Sequence, residues 1–537
     1  MIKSTFVFIP GIGRKTEEDF WKKGILTWHD LKKNFSILSR ERRQFIYDYL
    51  DKADSALSRD NLSFFVKHLP QNELWRVYRE FKDKTVFLDI ETTGLSSYYD
   101  WITLIGAYDG KEYNVFVRDN NMEDFVDYLS NYNLIVTFNG KTFDIPFLKK
   151  EFPEIKIPSI HIDLKYLLRS VGITGPLKQI EEEVGIRRPG DLQEVSGREA
   201  AVLWRQFLKG DDEALEKLIR YNYQDTVNLQ TLMHFCYNLK LEQIKSKMNC
   251  DTYQQTLLEY GYDSEELFRE YVFFTFEPST FDKPKIHIQK PNESALDVHM
   301  NGRKLARVDR NKIEKIEIKI ENLLQKIERE NPVAVGIDLS GSEKRNSGVC
   351  VLGGKDAYLD ALSTDEEIIS TTLNAKPDII SIDSPLSLPE GRCCPEDTCD
   401  CRQYGITRGC ERTLKKRGIN VYPCLIKSMQ KLTMRGIKLA EIFRKEGYDV
   451  IESYPGAAQD IMGLPRKRIN LKELEVDLWN MGVKPFSSKK TITHDEIDAL
   501  TSALVGYFYL AEEYEAIGNN TEGYLMVPDL NNSKRDE

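Results

Sequence analysis

Thr85-Val-Phe-Leu-Asp89-Ile-Glu91-Thr-Thr-Gly94 is an apolar run that delivers two acidic side chains and stops at a glycine. In a strand, side chains at i and i+2 lie on one face, so Asp89 and Glu91 stand side by side at the end of what reads as a buried central strand. Like charges held together repel and raise each other's pKa. The usual relief is a divalent cation that prefers oxygen ligands, Mg²⁺ or Mn²⁺, and the spacing therefore predicts a metal site.

Further oxygens follow downstream. Leu134-Ile-Val-Thr-Phe-Asn139-Gly-Lys141-Thr-Phe143-Asp144 is a second apolar strand, ending in a polar turn that presents Asp144. Leu218-Ile-Arg-Tyr221-Asn222-Tyr-Gln-Asp225 reads as a helix on which Tyr221 and Asp225, at i and i+4, share a face. Together these stretches resemble the DEDDy class of 3′→5′ exonucleases on the RNase H-like fold. Asp-Ile-Glu-Thr-Thr-Gly matches the first motif, Asn139, Phe143 and Asp144 the second, and Tyr221 and Asp225 the third. More narrowly, Asp163-Leu-Lys, the segment Leu177 to Arg187 and Tyr221-Asn222 resemble the YprB-like branch. The resemblance implies that Asp89, Glu91, Asp144 and Asp225 hold two Mg²⁺ or Mn²⁺ ions, that Tyr221 orients the attacking water, and that the reaction is phosphodiester hydrolysis at a DNA or RNA 3′ end. Lys141 reads as a solvated turn residue before a phosphate contact, and Asp163 as a cap of the helix that follows it.

A chain of 537 residues accommodates about two to four domains with full cores. With 41% hydrophobic and 30% charged residues it is not a disordered chain. Its formal net charge of −10 means that a nucleic-acid partner is held by local basic patches and metals rather than by a globally positive surface. No stretch approaches a membrane span, so no membrane partner is expected. The first ten residues lack a signal-peptide pattern. A cytoplasmic location follows, where the nine cysteines are thiols or metal ligands before they are disulfides.

The N-terminal segment from Phe8 to Leu31 is punctuated by Gly11, Gly13 and Gly24. It resembles a single helix-hairpin-helix motif, which implies a turn at Gly11 and Gly13 offering backbone N–H groups to a phosphate, with Arg14 and Lys15 adding charge. A plain helical hairpin whose glycines only turn the chain is the alternative. Between residues 35 and 82 apolar residues recur at helical spacing, as in Phe45, Ile46, Tyr49 and Leu50 and again in Phe64, Phe65, Val66 and Leu69. Beyond 240, Asp251 to Tyr271 suggests helices, Phe276 to Pro291 holds three prolines, and Asn301-Gly302 marks a hairpin turn. From Lys312 to Glu330, Ile313, Ile316, Ile320, Leu323, Leu324 and Ile327 form one helical stripe. It reads as a connector, with a partner-binding helix as the alternative.

At Pro332 the opening logic repeats. Val333-Ala-Val-Gly-Ile-Asp338 and Asp378-Ile-Ile-Ser-Ile-Asp383 are buried strands ending in an acid, Asp449-Val-Ile-Glu452 is a third, and His494-Asp495-Glu-Ile-Asp498 starts a C-terminal helix. Residues 333–528 resemble a family of uncharacterised predicted nucleases with an RNase H-like fold, and the last helix resembles that of RuvC-type resolvases. Asp338, Asp383, Glu452, Asp495 and Asp498 are the candidate ligands, and His494 a candidate for proton transfer. Gly336-Ile-Asp-Leu-Ser-Gly341 also resembles the first phosphate loop of actin-like kinases and chaperone ATPases, but no glycine-rich second loop accompanies it.

Six cysteines fall between Cys393 and Cys424. That density favours a bound zinc or an iron–sulfur cluster over free thiols, with Cys394, Cys399, Cys401 and Cys410 as the first choice and Cys393 as a substitute. From Arg408 to Lys445, eleven Lys or Arg stand against two Glu. Arg408, Lys415, Lys416 and Arg417, with Arg466 to Arg468 and Lys489-Lys490, thus propose a phosphate-backbone track, and Tyr404, Tyr422 and Tyr454 propose base stacking.

The expected architecture is α/β: a helical region at 1–80, an RNase H-like exonuclease domain at 81–240, a connector at 241–331, a second RNase H-like domain at 332–528, and a disordered tail at 529–537. Each RNase H-like domain is a mixed β-sheet flanked by helices. The expected function is metal-dependent 3′→5′ exonucleolysis, with an endonuclease-like or nucleic-acid-binding second domain. The alternatives are a non-catalytic nucleic-acid adaptor and an ATP-handling second domain.

Overall fold

The computed structural model describes residues 1–193, 195–247, 286–292, 294–313, 318–487 and 491–530. The expected helices at 251–271, the greater part of the proline-rich segment, Lys489-Lys490 and most of the expected tail lie outside these residues. The chain divides into two compact units, Met1–Thr93 with Trp101–Glu314, and Gly94–Asp100 with Lys315–Glu537.

The first unit opens with helices α1 (Arg14–Lys22), α2 (Trp28–Lys33), α3 (Arg40–Ser58) and α4 (Leu62–His68). Its sheet comprises β1 (Thr85–Thr92), β2 (Ile102–Tyr108), β3 (Tyr113–Val117), β4 (Leu134–Thr137) and β5 (Ile160–Asp163), in the order β3-β2-β1-β4-β5. β1, β2 and β3 form an antiparallel meander, while β4 and β5 run parallel to β1. Helices α5 (Asp124–Leu129), α6 (Asp144–Glu151), α7 (Leu164–Arg169), α8 (Leu177–Glu183), α9 (Gly197–Leu208) and α10 (Asp212–Lys245) complete it. This is an RNase H-like mixed sheet with flanking helices. β1 is buried on both faces because helices cover both, which is why it reads as a continuous apolar run.

One face of this sheet shares its core with the N-terminal helices: Phe8, Trp21, Trp28, Phe65 and Trp75 join Phe87, Leu134 and Ile160 in one apolar cluster. A buried charge network ties the same region together. Glu17 accepts the N–H groups of Phe6 and Val7 and pairs with Arg76, which also pairs with Glu73. The helical region at 1–80 therefore folds onto the α/β sheet rather than standing apart. So does part of the expected connector. β6 (Ile286–Gln289), β7 (Ala295–Met300) and β8 (Arg303–Asp309) form a three-stranded antiparallel sheet whose Leu296, Val298 and Val308 pack with Leu104, Trp204 and Leu215. Asn301 and Gly302, both at positive φ, make its hairpin turn as the dipeptide predicts.

The apolar stripe at 312–330 is not one helix. Ile313 is buried with the first unit, whereas Ile320, Leu323 and Ile327 are buried with the second. Among its described residues the α-helix is α11 (Ile320–Lys326), its first N–H bonded to the Met481 carbonyl.

The second unit holds β9 (Val333–Asp338), β10 (Ser347–Gly353), β11 (Asp356–Leu362), α12 (Asp365–Asn374), β12 (Ile379–Asp383), α13 (Gly409–Lys416), α14 (Gln430–Lys445), β13 (Val450–Ser453), α15 (Pro455–Ile461), α16 (Lys467–Asn480), β14 (Lys484–Ser487), α17 (His494–Leu510), β15 (Tyr514–Asn519) and β16 (Gly523–Pro528). Its sheet order is β14-β11-β10-β9-β12-β13-β16-β15. The central five strands, β11-β10-β9-β12-β13, repeat the order and the parallel and antiparallel pairing of the first sheet.

Both units also use the same close approach. Gly106 on β2 stands opposite Asp89, and a Cβ there would lie 1.8 Å from Asn222 Oδ1 on α10. Gly348 on β10 stands opposite Asp338, and a Cβ there would lie 2.0 Å from the Asp495 carbonyl oxygen on α17. A glycine on the neighbouring strand thus lets the closing helix come down onto the first acid. At Gly348 the obstacle is backbone and cannot rotate away. Gly348→Ala is expected to lower the stability of the second unit by about 2–3 kcal/mol, read as a shift in its denaturant midpoint.

Candidate functional site

Asp89 and Glu91 sit on the C-terminal half of β1, where the register against β2 shifts between Glu91 and Thr92. Such an irregularity re-aims side chains at a strand end. Asp225 reaches the same place from α10, and the three residues offer carboxylate oxygens all within 4.8 Å of one another. Glu91 and Asp225 are buried. Burial, then the charge of Asp225, pushes both Asp89 and Glu91 well above the ordinary carboxylate range. Asp144, at the start of α6, lies outside the tight group but near enough to add to both shifts. Its own pKa is pushed up to about 7, chiefly by burial. Tyr221 is 6% exposed, with the Arg188 guanidinium 5.7 Å and the Lys178 ammonium 5.5 Å from its ring centre. The structure thus brings together the five residues singled out in the first unit's sequence.

Asp163 is a scaffold residue. Its carboxylate accepts the N–H groups of Asn139, Lys141 and Lys165, holding the turn before Asp144 and capping α7. Lys141 lies over the Tyr166 ring.

Two supporting groups escape the sequence motifs. Asn222, fully buried, donates from Nδ2 to Asp89 Oδ2 at 2.9 Å and to Glu91 Oε1 at 3.3 Å. Its orientation is fixed because Tyr113 Oη and Thr226 Oγ1 both donate to Oδ1. Arg188, before the 3₁₀ turn at Gly190–Leu192, pairs with Asp225 and with Glu181, and Glu181 also accepts from Asn228 at 3.0 Å. Asp225 Oδ1 touches Arg188 without hydrogen-bond geometry and has no other hydrogen-bond partner. The glycine inside β2 was the available signal for Asn222, since a strand glycine marks a close approach. Asn222→Leu leaves the buried oxygens it serves without their donor and is expected to lower the stability of the first unit by about 1–3 kcal/mol, read as a shift in its denaturant midpoint.

In the second unit Asp338, Asp383 and Asp498 converge, again within 4.8 Å. Asp338 and Asp383 are register neighbours on parallel strands, and Gln459 donates to Asp498 at 2.9 Å, as Asn222 does to its pair. Burial pushes Asp338 and Asp383 well above the carboxylate range, with the charges of Asp383 and Asp498 adding to the first shift and that of Asp498 to the second. Here a side-chain cation enters the group: Lys467 Nζ is 2.5 Å from Asp498 and 3.7 Å from Asp338. Asp495 is peripheral, 3.8 Å from Lys467 and paired with His494, which is exposed.

Glu452 is not part of this group. Both its oxygens are taken by Arg408, at 2.7 and 2.6 Å, and one also accepts the Leu386 N–H. Arg408 is therefore no nucleic-acid contact, being 1% exposed. Arg417 is held bidentately by Glu515. Of the four basic residues named on and beside α13, Lys415 and Lys416 are the exposed ones. Of the tyrosines, Tyr404 and Tyr422 are exposed, while Tyr454 donates to the Asn420 carbonyl. At the N-terminus, Gly11 adopts φ +80°, and Gly13, Arg14 and Lys15 are exposed at the start of α1, with Arg14 paired to Glu73. The cysteine set also changes. Cys393, not Cys410, joins Cys394, Cys399 and Cys401. Cys410 points into an apolar cluster with Leu414, Ile419 and Ile461, because α13 carries it away from the loop.

The RNase H superfamily profile matches residues 86–237, the segment carrying the first acidic group. No curated protein matches the sequence. Among solved structures the chain is similar to Escherichia coli RNase D, an exoribonuclease involved in structured RNA processing, at 16% identity over 37% of this chain and 47% of that one, with a TM-score of 0.21. It is similar to Brucella melitensis NrnC bound to pGG, at 17% identity over 34% of this chain and 78% of that one, TM-score 0.20. It is also similar to the Aedes aegypti Nibbler EXO domain, at 14% identity over 37% and 92%, TM-score 0.23. Among the described residues no helix is long and apolar enough to cross a membrane.

Proposed function

We propose that this chain is a divalent-metal-dependent nuclease of the DEDDy type that trims DNA or RNA from the 3′ end with the site of its first unit. The observation that carries the proposal is the meeting of Asp89, Glu91 and Asp225 in one buried oxygen cluster. Three carboxylates drawn together in low dielectric, with burial and neighbouring charge holding Asp89 and Glu91 well above the carboxylate range despite the Arg188 guanidinium on Asp225, suit a hard cation. Asp89, Glu91 and Asp225, with Asp144 beside them, would hold Mg²⁺ or Mn²⁺. Bound ions there would supply Lewis-acid stabilisation of charge on the phosphate oxygens.

The chain's own residues do the rest. Asn222 fixes the angle between Asp89 and Glu91. Tyr221 keeps its proton, since burial and then the Asp225 charge raise its pKa, so its hydroxyl acts as a donor that orients water rather than as a base. Arg188 balances Asp225 and Glu181. The second unit is read as a nucleic-acid-binding or endonuclease-like partner. Lys467 among its three aspartates favours the binding role, because the ammonium already neutralises part of the charge that would draw a metal ion. A reducing cytoplasm is the compartment that suits a chain with eight free thiols among its described residues.

The test is degradation of 3′-labelled and 5′-labelled single-stranded DNA and RNA with Mg²⁺ or Mn²⁺, comparing wild type with Tyr221→Phe. Stepwise shortening from the 3′ end, slowed about 10²-fold in Tyr221→Phe at unchanged Mg²⁺ affinity, is expected. Binding without cleavage under either metal would sink the nuclease reading and leave the adaptor in its place.

A further inference from the structure

The loop between β12 and α13 gathers four thiols. Cys393 and Cys399 Sγ stand 3.7 Å apart, Cys394 and Cys401 Sγ 3.8 Å apart, and all four lie within 4.8 Å of one another. Bonded disulfide sulfurs would stand at about 2.05 Å, and all four cysteines are free. Four thiolates around one zinc ion, with Zn–S of about 2.3 Å, occupy the corners of a tetrahedron whose edge is about 3.8 Å. The two measured separations have that length. A [4Fe–4S] cluster puts each thiolate on a different iron and a [2Fe–2S] cluster puts two on each, with sulfide between the irons, so either would part the Cys393–Cys399 pair from the Cys394–Cys401 pair more widely than one shared ion does, whereas all four lie within 4.8 Å.

The loop supplies an independent reason for an ion. From Ser384 to Arg408 the regular structure is limited to the 3₁₀ turn at Asp400–Tyr404, although ordered loops longer than about 12–15 residues without their own structure are uncommon. Between Pro389 and Gly405, only Pro389, Arg392 and Cys401 are buried, so the segment has no apolar core to hold its shape. Its base is clamped where Arg408 donates to Ser387 at 2.9 Å and to Glu452. Its far end converges on the four sulfurs and nothing else of comparable density. A metal ion whose binding energy becomes folding energy is what such a segment requires.

We propose that Cys393, Cys394, Cys399 and Cys401 form a structural zinc(II) site that folds the loop following the Asp383 strand. Four thiolates close the coordination shell, so the ion takes no part in hydrolysis. Cys410 and Cys424, buried elsewhere in the unit, are not ligands.

Zinc content and X-ray absorption of the purified full-length chain test this. About one zinc per chain with a shell of four sulfurs is expected. Cobalt(II) taken up in its place should show intense thiolate-to-cobalt absorption. Cys393→Ser/Cys399→Ser should lose the metal and become sensitive to proteolysis between residues 389 and 405, whereas Cys410→Ser should keep both metal and resistance. Wild type that holds no zinc and gives no thiolate–cobalt absorption overturns the proposal. So does zinc surrounded only by oxygen and nitrogen, or an iron in its place. The sulfur shell is read on wild type, so the proposal stays testable even where the double variant fails to fold.

Discussion

Asp89→Asn is expected to reduce metal-dependent hydrolysis by at least about 10³-fold while raising the stability of the metal-free protein by about 1–2 kcal/mol. The first effect follows from losing a carboxylate that would be shared by the cations, since charge stabilisation at such sites contributes several kcal/mol to the barrier. The second follows from the apo electrostatics. The folded-state pKa of Asp89 is raised by burial and by Asp225, Glu91 and Asp144. A carboxyl raised in the fold destabilises it at any pH above the unfolded value, because ionisation then favours the unfolded chain. Asparagine removes that charge and still accepts from Asn222. Mg²⁺ should raise the melting temperature of wild type and do so far less in the variant, because binding to the folded state is what shifts the transition. A variant as active as wild type would rule out the carboxylate group as the site, and one less stable without metal would overturn the electrostatic argument for the apo protein.

What the sequence revealed of this site, and what it hid, follows from the range over which each residue acts. Asp89 and Glu91 are legible because a two-residue period in an apolar run specifies a face. Tyr221 and Asp225 are legible because four residues in a helix specify another. Asn222 occupies no motif position. Its role exists only where α10 crosses β2 at Gly106, a contact between distant parts of the chain. Arg188 is hidden for the same reason, reaching Asp225 from beside a 3₁₀ turn. The repeat of strand–acid endings at Asp338 and Asp383 correctly marks a second convergence. Glu452 shows the limit of that pattern, for a strand-end acid serves equally as the counter-ion of a buried arginine. The stripe from Ile313 to Ile327 misleads differently: helical spacing says that residues are buried, not that they are buried in the same core.

The buried pairing of Glu452 with Arg408 makes the second large effect. Arg408→Ala is expected to lower the stability of the second unit by about 3–5 kcal/mol, because removing one partner of a buried pair strands the other charge. Arg408 is 1% exposed and donates to Glu452 twice, to Glu411 at 3.0 Å and to Ser387. Its planar fork engages three residues at once through four hydrogen bonds, so Arg408→Lys should recover little of the loss. Arg408→Met combined with Glu452→Leu should recover much of it, since no unpaired charge then remains. The unfolding transition of the second unit in denaturant reads all three variants. Were Arg408 a phosphate contact, as the basic run suggests, the alanine variant would keep its midpoint and lose affinity for single strands. That behaviour belongs instead to Lys415→Ala/Lys416→Ala, whose exposed ammonium groups can pair with phosphates. The double variant is expected to leave stability unchanged and to reduce the slope of log affinity against log salt by about 1–2. The charge run at 408–445 thus separates by partner: Arg408, Arg417 and Arg435 are held by Glu411 and Glu452, by Glu515 and by Asp365, and the exposed Lys415 and Lys416 are the pair proposed for a nucleic-acid backbone.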